Sequence, residues 1–151
     1  MTEEPAVHQD GPNTGLLLFL PYRAMERRVL DAVHAAGFAD VTPAQARVFQ
    51  RIGPGGTRLT DLAEQALITK QSAGSLVDQL ERAGYVERVP DPTDARARLV
   101  RLAPRGERVL PVATAAVAEV EREWVAHLGA RRTGALREAL LRLREITDPW
   151  A

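Results

Sequence analysis

The sequence predicts a mainly α-helical fold with a small β-hairpin, and three features of residues 69–106 support this prediction. Apolar residues recur there at three- and four-residue steps, as on the buried face of an α-helix; they are Ala73, Leu76, Val77, Leu80 and Ala83. Gly84 ends that helix, and the apolar period then falls to two, which is typical of strands. An arginine-bearing, Pro- and Asp-rich turn, Pro90–Ala97, separates Val86 on one strand from Val100 on the next. A helix followed by an arginine-tipped hairpin is a winged helix-turn-helix.

Length and composition limit how the chain is organised. At 151 residues and 16.5 kDa it is one domain, or a compact domain with an added dimerisation layer. A hydrophobic fraction of 45% provides a core, and few aromatics among many Ala, Leu and Arg favour helices. The sequence has no cysteine, which excludes disulfides, thiolate metal sites and cysteine nucleophiles.

The distribution of charge favours a nucleic-acid partner although the net charge is zero. From Arg82 to Arg108 there are seven arginines and four carboxylates, a local surplus of three positive charges. The balancing acids lie mainly in the N-terminal tail and on the C-terminal helices. A basic wing on a neutral body is sufficient for DNA binding.

The sequence predicts neither membrane insertion nor secretion. Its longest apolar run, Leu16–Leu20, has five residues, against the roughly 20 that a membrane helix needs. A basic leader and a small-residue cleavage site are both missing. We therefore expect a cytoplasmic protein, with residues 1–13 as a flexible N-terminal tail.

The first two helices have recognisable starts. Residues 14–37 form the first, with Thr14 as the predicted N-cap; Pro21 either marks its true start or kinks it, because proline removes a backbone donor. The second begins at Thr42–Gln45, where threonine caps the helix, proline takes the first position and glutamine closes a capping box. This helix is predicted to run to Ile52.

Two further helices complete the helix-turn-helix. Thr60 is the predicted cap of a supporting helix over Asp61–Ala66, and Thr69 caps the next helix, Lys70–Ala83. The second helix of such a pair lies in the major groove of DNA. Arg58-Leu59 is a candidate third strand of the wing sheet.

Residues 104–147 are predicted to form two more helices with a break near Gly129. Their apolar positions are Leu110, Val112, Ala116, Val120, Trp124, Leu128, Leu136, Leu140, Leu143 and Ile146. Together with residues 14–37 they present more apolar surface than a small module can cover. We therefore predict a homodimer whose dimerisation helices are 14–37 and 104–147, and a DNA-binding module over residues 38–103.

A family resemblance is carried by the segments Leu76–Val86, Asp91–Arg96, Leu99–Leu102 and Thr60–Ala63. They resemble the multiple antibiotic resistance regulator (MarR) family of winged helix-turn-helix transcriptional regulators, most specifically in the wing, where an Asp-x-Arg unit precedes the second strand. The resemblance implies a homodimer on a pseudo-palindromic operator. It also implies repression that is relieved by a small molecule bound between the dimer layer and the winged module.

Candidate DNA contacts follow from the resemblance and from residue type. The family's major-groove residues correspond to Lys70, Gln71, Ser72 and Ser75, its minor-groove arginine to Arg96, and the carboxylate that braces this arginine to Asp94. We add Gln79, on the same polar helix face, and Arg98 and Arg101, on the hairpin, because their side chains can bind base edges or phosphates. The alternatives are a solvated turn for Arg96 and Arg98 and a surface ion pair for Arg101 or Arg88.

The sequence departs from the family at two positions. Ala103 stands where a threonine usually caps the long helix, so Pro104 alone defines the helix start. Gly74 lies inside the recognition helix, where glycine costs about 1 kcal/mol relative to alanine. It would allow a close approach of DNA or of the supporting helix.

Candidate ligand-binding residues are Tyr22, Met25, Phe49 and Trp124, the rarer aromatic and sulfur side chains of the chain, although their helical spacing favours a core role first. We expect no metal site, because His8, His34 and His127 have no ligand spacing, and no cofactor. A nucleophile–base pair and a phosphate-binding glycine loop are also missing, so we do not expect an enzyme.

The leading hypothesis is therefore a sequence-specific double-stranded DNA-binding regulator, a repressor released by a small molecule. A winged-helix module that binds other proteins and has no operator is the alternative, because fold does not fix function.

Overall fold

The computed structural model describes residues 11–150 and confirms the predicted fold class, mainly α with a small antiparallel sheet. The helices are α1 (Thr14–Ala35), α2 (Pro43–Phe49), α3 (Leu59–Gln65), α4 (Lys70–Arg82), α5 (Pro104–Leu128) and α6 (Ala130–Thr147); the strands are β1 (Thr57–Arg58), β2 (Val86–Asp91) and β3 (Asp94–Leu102). Apart from residues 11–13, the predicted tail lies outside the described residues.

Residues 38–103, the winged module, contain most of the hydrophobic core, and Val33 of α1 and Val109 of α5 complete it. Helices α2, α3 and α4 and the strands meet there around the buried side chains Val48, Leu62, Val77, Leu80, Tyr85, Val86 and Val100. The predicted capping box of α2 is present, because Thr42 Oγ1 accepts from the Gln45 N–H and Gln45 Oε1 accepts from the Thr42 N–H, each at 3.2 Å. Thr69 caps α4 by accepting from the Ser72 N–H at 3.0 Å.

Several predicted boundaries are wrong. α1 ends at Ala35 and not at residue 37, while α3 and α4 end at Gln65 and Arg82, one residue before their predicted ends. The third strand is Thr57–Arg58, so Leu59, which was predicted to lie in it, belongs to α3.

The cap of α1 is Asn13, not Thr14, since Asn13 Oδ1 accepts from the Leu16 N–H at 2.9 Å. α3 starts at Leu59, directly after Arg58, because β1 pairs with β3 up to Arg58 and leaves Thr60 inside the first helical turn. α2 ends at Phe49, before the predicted Ile52.

The wing sheet has the order β1-β3-β2, and all its neighbours are antiparallel. Its turn contains only Pro92 and Thr93, so the predicted turn Pro90–Ala97 is too long. The Asp91 carboxylate closes the turn locally, because Oδ1 accepts from the Thr93 N–H at 2.8 Å and from its hydroxyl at 2.7 Å. Both strands therefore continue to the tip.

Helix α1 is continuous through Pro21 and packs along α5. Arg28 links the two helices by donating to Glu123 at 2.9 Å and to Glu119 at 3.3 Å. The helix therefore does not begin at Pro21, which was one of the two alternatives that the sequence left open.

Helix α5 starts at Pro104, as predicted, and Ala103 supplies no side-chain cap. In its first turn it lies directly on the segment between α4 and β2, because a Cβ built on Gly106 would be only 2.1 Å from the Tyr85 carbonyl oxygen. Only glycine therefore allows α5 to pack this closely on the base of the wing. Within residues 11–150, none of the helices is apolar over a membrane-spanning length.

The predicted break at Gly129 is present, with the glycine at φ 83°, and α6 returns alongside α5. No residue of α6 is buried. At its end, Asp148 accepts hydrogen bonds from Arg144 at 2.8 Å and from Arg51 of the winged module at 3.3 Å. The helix is thus held at both ends while its apolar face stays open.

Candidate nucleic-acid interface

The first turns of α4 present a polar, solvent-exposed face. Lys70, Gln71, Ser72 and Ser75 are all exposed, while Ala73 and Val77 of the same helix are buried. The Ser72 hydroxyl is oriented locally, because it accepts from the Thr69 hydroxyl at 2.9 Å. These four predicted contacts share one surface, and their donors and acceptors are of the kind that bind phosphates and base edges.

Gln79 lies one turn further on, and the structure places its side chain against α2. Its Oε1 accepts a hydrogen bond from Gln45 Nε2 at 2.9 Å, and Gln45 is only 8% exposed. This contact occupies the acceptor that a base edge would need. Periodicity put Gln79 on the polar face but gave no sign of its partner, which is 34 residues away.

Gly74 does not lie tightly against the supporting helix. A Cβ at this position would be 3.6 Å from Leu59 Cδ2, an ordinary van der Waals separation. The approach of α3 therefore does not require a glycine here.

The arginines of the wing fall into two groups. Arg88 pairs with Asp78 at 2.7 Å and Glu81 at 2.9 Å, and Arg101 pairs with Glu87 at 2.7 Å. Arg96 and Arg98 are exposed, and no carboxylate among residues 11–150 forms an ion pair with them. The guanidinium groups of the two arginines nearest the hairpin tip are thus not neutralised by any carboxylate of the described residues.

Two carboxylates flank the wing turn in different ways. Asp94, which the resemblance implies braces Arg96, contacts the backbone of that residue, because its Oδ1 accepts from the Arg96 N–H at 3.0 Å. Asp91 is 7% exposed and accepts from Arg58 at 2.8 Å. The Thr93 N–H and hydroxyl, together with Arg58, lower the pKa of Asp91 to about 2, so this carboxylate is charged at neutral pH.

A cavity of about 130 Å³ lies between α1, α2 and α5. Three of the four predicted ligand residues, Tyr22, Met25 and Phe49, line it. Its charged groups are Glu26 and Arg47, which pair at 3.0 Å, and the hydrogen bond from Arg47 lowers the pKa of Glu26. The fourth predicted residue, Trp124, lies instead in an open groove between α5 and α6.

Sequence reasoning missed a polar cluster at the base of the wing. The buried Tyr85 hydroxyl donates to Asp40, and the Arg105 guanidinium lies 4.2 Å from the centre of the Tyr85 ring. Burial, and then the bond to Asp40, raise the pKa of Tyr85 to about 12. Arg105 also donates to the Ala83 carbonyl at 2.7 Å. The cluster joins the α1–α2 loop, the end of α4 and the start of α5.

The described part of the chain contains no group of three or more His, Asp or Glu residues arranged to hold a metal ion. His34 instead lies 2.6 Å from the Val41 carbonyl oxygen through Nε2, and His8 is outside the described residues.

Comparisons with known proteins agree with this geometry. A sequence profile described as the MarR family matches residues 39–97. The chain is 32% identical over 90 residues to the transcriptional regulator HosA of Escherichia coli O111:H-, covering 59% of this chain and 67% of HosA. It is 30% identical over 111 residues to the HTH-type transcriptional regulator FarR of Neisseria gonorrhoeae, covering 73% of this chain and 76% of FarR. The chain belongs to the MarR family.

A shorter match joins this MarR-family chain to the transcriptional activatory protein BadR of Rhodopseudomonas palustris. The two are 37% identical over 57 residues, which is 38% of this chain and a third of the length of BadR, 33%. These relatives are transcriptional regulators, and this chain is a DNA-binding transcriptional regulator of the MarR family.

Solved structures share the MarR-family fold. A probable transcriptional regulator from Pseudomonas aeruginosa is 26% identical, with a TM-score of 0.65 over 87% of this chain and 96% of the other. MepR of S. aureus, solved as a complex with DNA, is 18% identical, with a TM-score of 0.69 over 89% of this chain and 98% of MepR. At that identity the MepR likeness concerns the fold alone.

Proposed function

We propose that this protein binds a pseudo-palindromic operator as a homodimer and represses transcription until a small molecule binds between its dimer layer and its winged module. In each copy, α4 enters the major groove and the wing arginines enter the adjacent minor groove. Repression requires only that the bound dimer occupies a promoter. We place this activity in the cytoplasm, where the DNA lies.

The availability of Arg96 and Arg98 is the observation that carries the proposal. On the same sheet, Arg58, Arg88 and Arg101 are all neutralised by carboxylates within 3 Å. Arg96 and Arg98 lie nearer the tip and form no ion pair within residues 11–150. A narrow A·T minor groove concentrates negative potential and attracts such arginines. MepR, which shares the fold, is known in complex with DNA.

The apolar faces of α1 and α6 support the homodimer. In α1, Leu17, Phe19 and Leu20 are 53–54% exposed, and in α6, Leu141 and Ile146 are 51% and 83% exposed. Apolar patches of this kind on a soluble chain mark an interaction surface. Two copies that share a twofold axis would cover these faces and present their α4 helices to the two halves of one operator.

The cavity between α1, α2 and α5 supports control by a ligand. Its volume of about 130 Å³ is close to that of a cavity of roughly 150 Å³ known to hold benzene. Its lining is mainly apolar, with Glu26 and Arg47 as a polar edge. We therefore propose a single-ring, mainly apolar effector. Because the cavity touches both α1 and α2, an occupant would alter how the winged module sits on the dimer layer.

Selection of duplexes from a random-sequence library by the purified protein tests DNA binding. We expect a pseudo-palindrome to be enriched, and its affinity to fall steeply with salt, because bound phosphates release counterions. Lys70→Ala and Arg96→Ala should each weaken binding about tenfold or more. Arg131→Ala, an exposed arginine in the first turn of α6, is the matched control and should bind as the wild type does.

Failure to enrich any duplex at low salt would reject the operator and favour the protein-interaction alternative. Repression is tested separately, with a reporter under a promoter that carries the selected site. Reporter output should fall when the protein is present, whereas a rise would identify an activator.

The effector proposal is tested with benzene derivatives, both neutral and carboxylated, titrated into the protein–duplex complex. At least one should release the DNA and raise the melting temperature of the free protein. Met25→Trp, which fills the cavity, should remove both responses and keep the DNA affinity. Release that persists in this variant would place the effector elsewhere.

A further inference from the structure

We infer that Arg58 is the positioning residue of the wing: its guanidinium holds the hairpin turn against the start of α3 and thereby sets the direction of Arg96 and Arg98 relative to α4. This inference rests on the proposed function, because it concerns how the wing arginines are presented to DNA. It assigns to Arg58 and Asp91 a role for which the sequence offered Asp94.

The Asp91 carboxylate is the anchor of this arrangement. Its side chain is 5% exposed, and both oxygens are fully engaged. Oδ2 accepts from Arg58 Nε at 2.8 Å and lies 2.7 Å from Nη2, while Oδ1 accepts from the N–H and the hydroxyl of Thr93 at 2.8 and 2.7 Å. Two nitrogens of the planar guanidinium thus contact one carboxylate oxygen, which restricts the orientation of the group as well as its distance. The turn residue Thr93 is therefore tied to Arg58 through a single carboxylate.

A weaker link reaches the other side of the turn. Arg58 Nη2 lies 3.9 Å from Asp94 Oδ2, and the other oxygen of Asp94 accepts from the backbone N–H of Arg96 at 3.0 Å. The guanidinium thus lies against both carboxylates that flank Pro92 and Thr93. One of these carboxylates holds the backbone from which the Arg96 side chain extends.

Arg58 also lies at the junction with the helix-turn-helix. It pairs with Leu99 in β3 and is followed directly by Leu59, the first residue of α3. Leu59 packs against the core cluster that contains Val77 and Leu80 of α4. A short path of contacts therefore joins α4 to the wing turn through Leu59, Arg58 and Asp91. Loss of the Arg58 fork would free the hairpin to move relative to α4.

The experiment uses the duplex enriched by the wild-type protein and a second duplex in which only the outer A·T pairs, beneath the wings, are changed to G·C. Binding of the full-length protein to both is measured by fluorescence anisotropy at fixed salt. The variants are Arg58→Gln, Arg58→Lys and Arg96→Ala/Arg98→Ala, with Arg58→Gln also made in the latter background. Arg28→Gln is the matched control, because its side chain is equally exposed, at 43%, and it also makes a two-point contact with a carboxylate.

The wild type should prefer the A·T-flanked duplex by about tenfold or more. Arg58→Gln should lose most of that preference and keep its affinity for the G·C-flanked duplex within about threefold; Arg58→Lys, which keeps the charge but not the fork, should fall between. In the Arg96→Ala/Arg98→Ala background, Arg58→Gln should have no further effect, because no wing side chain remains to be positioned. Arg28→Gln should match the wild type.

Three outcomes would overturn the inference. The first is that Arg58→Gln keeps the wild-type preference for the A·T-flanked duplex. The second is that it loses affinity equally for both duplexes, which indicates general destabilisation. The third is that Arg58→Gln weakens binding just as much in the Arg96→Ala/Arg98→Ala background, which indicates that Arg58 contacts phosphate directly. The proposed function fails on a different result, namely that the wild type enriches no duplex.

Discussion

In the winged module the core leucines Leu62 and Leu80 are 0% and 1% exposed, whereas in α6 the exposed fractions of Leu140, Leu141 and Ile146 are 39%, 51% and 83%. In both regions, the same three- and four-residue spacing of apolar residues predicted amphipathic helices. In the module the apolar faces of α2, α3 and α4 close on one another and on the sheet. In α6 the apolar face has no cover within the described chain.

The difference shows that an amphipathic pattern predicts a buried face but not which chain buries it. The winged module buries its pattern within the described chain, on its own elements and on α1 and α5. α6 is held by the turn at Gly129 and by the Asp148–Arg51 contact, and its apolar face is where we propose that a second copy packs. The two regions should therefore respond differently to the same kind of substitution.

The largest effect is expected at the proposed dimer face. Leu141→Glu places a charge in an interface that contains two copies of the residue, and each leucine contributes about 1.5–3 kcal/mol when buried. We expect the dimer dissociation constant to rise at least about a hundredfold, measured by analytical ultracentrifugation. Leu67→Glu, at a leucine that is 78% exposed in the turn between α3 and α4, should leave the dimer intact. Equal dissociation constants for the wild type, Leu141→Glu and Leu67→Glu would show that α6 does not form part of the dimer interface.

In the module core, Leu80→Ala should reduce the free energy of unfolding by about 2–5 kcal/mol, because truncation leaves a cavity in a closed core. Urea denaturation at several protein concentrations measures this loss, which should be the same at each. A loss below about 1 kcal/mol would mean that the core relaxes around the site, and would weaken the contrast with α6.

One substitution at two glycines gives a matched test with opposite signs. At Gly106 a Cβ would lie 2.1 Å from the Tyr85 carbonyl oxygen, while at Gly134 in α6 nothing lies within 4 Å. Gly106→Ala should destabilise by about 1–3 kcal/mol through overpacking, and Gly134→Ala should stabilise by about 0.5–1 kcal/mol through helix propensity. Thermal unfolding measures both. A loss at Gly134 would show that the second copy packs directly on this glycine.

The smallest effect concerns acid stability, for which each region has one carboxylate whose pKa is lowered to about 2. The pKa of Asp91 is lowered to about 2 mainly by Thr93, and that of Asp148 to about 2 mainly by Arg144, from an ordinary value of 3.8. Because both values are depressed on folding, each group stabilises the protein above about pH 4, and the contribution is lost as the pH falls from about 4 through about 2.

Asp91→Asn and Asp148→Asn should each be less stable than the wild type at pH 7, and the gap should narrow as the pH approaches 2. Chemical denaturation across that pH range measures this convergence. A gap that is independent of pH would show that the wild-type carboxylate does not titrate differently in the folded and unfolded states.

The sequence predicted local structure well where the determinants are local. The Thr42 and Thr69 caps, the break at Gly129 and the start at Pro104 depend on a few neighbouring residues, and all are present. The wing turn was predicted too long because proline and aspartate mark a turn but do not give its length. The cap at Thr60 was wrong because pairing between β1 and β3, over 40 residues apart, decides where α3 begins.

Long-range partners account for what the sequence missed at the candidate site. Gln79 bonds to Gln45, Arg58 to Asp91, and Tyr85 to Asp40, each across more than 30 residues. Periodicity assigns each residue to a face but cannot pair one face with another. The packing of the helices also decides which predicted ligand residues lie together. It places Tyr22, Met25 and Phe49 in one cavity and Trp124 in a different groove.

The short helix α2 contacts both the proposed effector cavity and α4, the helix that we propose enters the major groove. Ala46 and Phe49 line the cavity. The residues that precede them, Gln45 and Val48, are buried in the module, and Gln45 is hydrogen-bonded to Gln79 of α4. Because α2 has only seven residues and a capping box at its start, we expect it to shift as one unit. A molecule bound in the cavity should then displace α4 through α2, without any loop having to unfold.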